Sequence, residues 1–143
     1  MKSTFLAFVL IMFAASDCSN TEAAAIESFS YETFTRGSTT MYTVTPEQIK
    51  VKSTGVNAME NIININKTEW SAILKTASSI DISKMSQLKS STDSRASDAA
   101  LHAILSVRKN DTIYKTNSFD HGNPPTEVKP LVEAILRLAE NVE

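Results

Sequence analysis

Apolar and polar positions alternate along the first half of the chain and recur in threes and fours along two later stretches. Ser28–Thr35 is rich in aromatic and β-branched residues, with Phe29 and Tyr31 on one face, which predicts a strand ending at the turn Arg36-Gly37-Ser38. Thr39–Thr45 predicts a second strand, with Met41, Thr43 and Thr45 opposite Tyr42 and Val44, and Pro46 breaks it. Gln48–Ser53 alternates cleanly, so Ile49 and Val51 are buried while Lys50 and Lys52 point to water, and Thr54-Gly55 closes it. Ala58–Ile65, carrying Ile62, Ile63 and Ile65, predicts a fourth strand. Connections this short suit an antiparallel meander, because parallel strands need a crossover of a dozen or more residues.

At Asn66 the period changes. Asn66 can cap a helix with its side-chain oxygen, and Glu69 three residues later completes a capping box. Trp70, Ile73, Leu74 and Ala77 follow at helical spacing, and this helix should lay Trp70 on the sheet as a core anchor. Ile82, Met85 and Leu88 extend the apolar spacing, whereas Lys89–Asp98 holds no large apolar residue and reads as a solvated loop, the stretch expected to be most mobile. Ala99–Val107 carries alanines that favour helix, yet Leu101, Ala103, Leu105 and Val107 share a face at period two. With a tip at Arg108-Lys109-Asn110-Asp111 and a returning strand Thr112–Thr116, the stretch reads as a hairpin. After the turn at Gly122 and the extended pair Pro124-Pro125, the residues Val128, Leu131, Ile135, Leu138 and Val142 form the stripe of a terminal helix beginning near Pro130. That stripe should cover the hairpin residues Leu101, Ala103, Leu105 and Val107, beside Trp70 and Leu74. The fold expected is α+β, an antiparallel sheet of about five or six strands covered by two helices.

Composition changes the picture mainly at the N-terminus. Lys2, the apolar run Phe5–Ala15 and the small residues Ala14-Ala15-Ser16 have the order of a secretory signal. The run is shorter than the ~20 apolar residues of a membrane-spanning helix. Cys18 is the only cysteine, which excludes an internal disulfide. The segment Ala15-Ser16-Asp17-Cys18-Ser19-Asn20 resembles a bacterial lipoprotein signal, in which the cysteine is lipidated and becomes the first residue. Asp17 and Ala15 depart from the residues that motif prefers, and ordinary cleavage after Ser16 or after Ala25 is the rival reading. The expected organisation is a signal at 1–17, a tether at 18–25 and one domain at 26–143. The net charge of -2 and the absence of any lysine and arginine cluster argue against nucleic acid as a partner.

Asp120-His121 is where a carboxylate and an imidazole are adjacent near a turn, so the pair could supply a general base or a metal ligand, with His102 or Asp98 as partner. The plainer reading is structural: Asp120 bonding nearby backbone N–H groups as an Asx-turn, His121 exposed, and Gly122 supplying a positive φ. Two histidines and one cysteine do not suit a structural zinc site, and three glycines do not make a phosphate-cradling loop, so neither metal nor cofactor is expected. No serine sits in a Gly-x-Ser-x-Gly elbow. Arg36, between two strands, could pair with Asp120 or Glu32, or receive an anionic ligand.

The succession of lipoprotein-like signal, Thr35-Arg36-Gly37 turn, isoleucine-rich strands, tryptophan helix, hairpin and Phe119-Asp120-His121-Gly122-Asn123-Pro124-Pro125 resembles small exported lipoproteins of the Bacteroidetes, whose function is unassigned. The resemblance implies an exported, membrane-anchored location at the periplasmic face or outer membrane and an α+β fold, and it brings no activity. In the same lineage Asp111-Thr112-Ile113 resembles an acceptor of bacterial O-glycosylation. The function expected is a non-enzymatic binding or structural module of the cell envelope with a protein or envelope partner; the alternative is a small hydrolase using Asp120 and His121.

Overall fold

The structure is a computed structural model and describes residues 25–94 and 100–141. The predicted signal, Cys18 and the tether up to residue 24 lie outside the described residues, as do Asp98 and Val142.

Strands β1 (Ile26–Thr35), β2 (Ser38–Val44), β3 (Gln48–Thr54) and β4 (Met59–Asn64) form the predicted meander. Helix α1 (Lys67–Ala77) and a short 3-10 helix (Ile82–Gln87) follow. The chain then re-enters the sheet as β5 (His102–Lys109), β6 (Thr112–Lys115) and the two-residue β7 (Phe119–Asp120), and ends in α2 (Lys129–Ala139). The sheet is antiparallel and open, in the order β4-β3-β2-β1-β5-β6, with β7 also on β5. Among the described residues it has seven strands because the returning hairpin arm is split: Thr116 breaks the ladder, its N–H donating to Leu105 O at 3.0 Å and its hydroxyl accepting from Leu105 N at 3.1 Å.

Register fixes which side chains share a face. Across the sheet Ile63, Ile49, Val44, Phe29, Val107 and Tyr114 lie in one row. The next row runs Val51, Tyr42, Tyr31 and Leu105, and the one beyond it ends in Thr33, Ala103 and Phe119. Phe29, Tyr31, Val44, Leu105, Val107 and Phe119 are all fully buried. This face carries both helices. Asn66 Oδ1 accepts from Thr68 N and Glu69 N at 2.9 and 3.0 Å, while Glu69 Oε2 accepts from Asn66 N at 2.7 Å, so the predicted capping box starts α1. Trp70 is partly buried against the core, its ring 5.6 Å from that of Phe29. In α2, Pro130 stands in the first turn, where a missing N–H costs nothing, and Val128, Leu131 and Ile135 are fully buried.

Two expectations need correction. The hairpin tip is only Asn110-Asp111, both at positive φ (48° and 60°), a two-residue turn whose twist matches its strands, so Arg108 and Lys109 belong to β5. Helix α2 lies over β2 and β3, beside α1, rather than centring on the hairpin. The β6 side already has its cover, because the 3-10 helix packs there and buries Met85 completely.

Candidate functional site at one end of the sheet

Topology gathers the candidate residues at one end. Arg36 is exposed in the β1–β2 turn, His102 opens β5, Asp120 closes β7, and His121 follows it at the start of the turn. The β3–β4 turn reaches the same end. There Gly55, at φ 96°, lies so close to Gly37 that a Cβ on it would sit 2.5 Å from Gly37 O. That close approach requires a glycine.

Although adjacent in sequence, Asp120 and His121 leave opposite faces of the sheet, as successive strand residues do. Asp120 pairs in register with His102 on the face away from the helices, where His102 stacks on Phe34 with ring centroids 5.1 Å apart. Asp120 is only 3% exposed, because the 91–94 segment crosses it. One carboxylate oxygen accepts from the Thr92 hydroxyl and from Ser94 N at 2.8 Å, and the Ser91 hydroxyl donates to Pro124 O at 3.1 Å. The expected Asx-turn is therefore replaced by a longer reach: the side chain fastens a loop 26–28 residues away, while the local turn is closed by Asn123 N donating to Asp120 O at 2.9 Å. The Ser90–Ser94 part of the loop expected to be solvated is thus tied down at three points.

His121 turns to the helix-covered face. It is partly buried rather than exposed, with Nδ1 2.9 Å from the Tyr31 hydroxyl and its ring 5.9 Å from the Tyr31 ring. Burial, with the neighbouring Tyr42 second, pushes the Tyr31 phenol far above its usual range, so it keeps its proton and donates. His121 Nδ1 accepts this hydrogen bond when the imidazole carries its own proton on Nε2. Burial also holds the imidazole below its ordinary pKa, favouring the neutral form this bond needs.

The site so built does not join the predicted acid and base. Asp120 is enclosed by Thr92 and Ser94 on one face, and His121 is bonded to Tyr31 on the other. Arg36 shares their end of the sheet. Among the described residues no group of three or more His, Cys, Asp or Glu side chains is placed to hold a metal ion, and no helix is long and apolar enough to cross a membrane. Tyr31 is the functional partner that sequence reasoning passed over. Its place on the Phe29 face was legible, and a buried phenol needs a hydrogen-bond partner, but nothing in the sequence pointed to a residue 90 positions away. No family model matches the chain, and no curated protein or solved structure does either.

Proposed function

We propose that the chain is a lipid-anchored, exported binding or structural module of the bacterial envelope, which meets a protein or envelope partner through the face of its sheet that the helices leave open. The observation that carries this reading is the asymmetry of the sheet. Along β1 to β5 the residues opposite the helices are all at least partly exposed, and Met41 and Ile62 are 39% and 50% exposed there. Apolar residues held on a rigid sheet face suit a contact surface. The geometry of Asp120 and His121 favours this over the hydrolase, since each is committed to a structural hydrogen bond on a different face. Two arms test it. Lipid on Cys18 is expected in the mass of the mature N-terminus, and Cys18→Ser should release the chain from membranes or stall its processing. A photo-crosslinker at Met41 in intact cells should capture a discrete partner, while one at Glu133 on the outer side of α2 should not. An unmodified N-terminus beyond Cys18 would overturn the anchor, and equal labelling from both positions would overturn the binding face.

A further inference from the structure

The sheet ends in two unlike edges. β6 is guarded in the usual ways: it is 4 residues long, carries Lys115, and is interrupted by the irregularity at Thr116. β4 has none of these devices. It runs 6 residues, Met-Glu-Asn-Ile-Ile-Asn, without lysine, arginine, proline or glycine. Its one charge, Glu60, is occupied by its own sheet, 2.7 Å from Lys50 Nζ and 3.5 Å from Lys52 Nζ. Ile65 N donates to Glu47 O at 3.0 Å, so in an antiparallel ladder Ile63, Asn61 and Met59 face β3 with their main-chain groups. Glu60, Ile62 and Asn64 therefore turn their N–H and C=O groups outward. Ile62 is 50% exposed on the open face, and Met59 is 41% exposed on the other.

We infer that β4 is an assembly edge at which two copies of this chain pair antiparallel, about a two-fold axis through Ile62, to make one continuous sheet. This rests on the binding-module reading and names its occupant at this edge. Side-chain parity and charge select the register. Only registers that keep like faces together join the sheets, and a two-fold axis then passes through a residue. An axis at Glu60 would set two carboxylates directly opposite, and one at Asn61 would set Glu60 against Ile62 of the second copy. Both arrangements are unfavourable. An axis at Ile62 places Ile62 against Ile62 of the second copy and Glu60 against Asn64 of the second copy. It also puts every outward main-chain group of the strand into a close hydrogen-bonded pair. No other register near the strand centre satisfies both the ladder and the charges.

The test uses the full chain in mild detergent. The parent should sediment at twice the monomer mass, and Ile62→Pro should sediment as a monomer with an unchanged circular dichroism spectrum. The outward Ile62 N–H takes no part in the β3 ladder, so proline is tolerated there. A second readout is disulfide trapping in the Cys18→Ser background. Ile62→Cys should give a covalent dimer on mild oxidation, since facing Cα atoms about 5.5 Å apart fall within disulfide reach. Ile113→Cys, on the guarded edge, should not. A monomeric parent, a dimeric Ile62→Pro, or equal trapping at both edges would overturn the pairing. A monomeric parent that still crosslinks a different protein from Met41 would sink the dimer and leave the binding-module reading standing.

Discussion

The two faces of one sheet have opposite roles. One side of the sheet buries Phe29, Tyr31, Leu105 and Val107 beneath the helices, and the other presents Met41, Thr43, Lys52 and Ile62 to water. The covered face owes its order to packing, and deleting atoms there leaves a cavity. Side chains of the open face hold little of the fold and are free to make contacts elsewhere. Asp120 and His121 show the division at single-residue scale. Asp120 fastens a loop on the open side, and His121 completes the polar rim of the core.

The largest test of that contrast pairs Ile135→Ala with Met41→Ser. Ile135 is fully buried in α2 over β2 and β3, and truncating it should cost about 2–5 kcal/mol. Against a total stability of about 5–15 kcal/mol this is severe. Met41→Ser, on the open face, should shift stability by less than about 0.5 kcal/mol. Denaturant midpoints compare them directly, and equal shifts would erase the distinction between the faces.

Asp120 sharpens the comparison, because it lies on the open side of the sheet and is nevertheless buried. Asp120→Ala would leave the Thr92 hydroxyl and Ser94 N–H without that acceptor, at a cost of about 1–3 kcal/mol. Asp120→Asn keeps an accepting oxygen and should lose less. Limited proteolysis within the 90–94 segment should speed up in the same order. An unchanged digestion rate in Asp120→Ala would mean that Asp120 does not anchor the segment.

Periodicity made most of the fold legible. The alternation of Ile49, Lys50, Val51 and Lys52 and the pairing of Asn66 with Glu69 are local patterns whose physics acts over a few residues, and the strand faces and the cap follow from them. Long-range placement was not legible. Helix α2 crosses to β2 and β3 because the 3-10 helix covers β6, a competition between distant elements that no window of sequence contains. The candidate site failed for the same reason. Asp120 and His121 are neighbours in sequence, but strand parity sends them apart, and their partners come from Thr92, Ser94 and Tyr31. A short motif read as one chemical unit is misleading when it straddles the last residue of a strand.

The smallest effect expected is a pH dependence carried by His121. In the unfolded chain a histidine titrates near pH 6.5, whereas in the fold burial lowers the His121 value. The unfolded chain therefore binds a proton that the folded chain resists, and stability falls as pH drops through the unfolded value. The contribution is fully present above that value, and the loss levels off once pH lies below the folded one. Protonation at Nδ1 would also remove the acceptor of the Tyr31 hydroxyl, which is itself held in its protonated form. His121→Gln offers a non-titrating acceptor in nearly the same place. It should flatten the decline as pH falls through the unfolded histidine value of about 6.5 and below. Tyr31→Phe should leave a slope, since burial remains when the hydroxyl is gone. Stability curves of the parent and His121→Gln that fall in parallel over this range would assign the proton elsewhere, and the link between the turn and the core would then be steric alone.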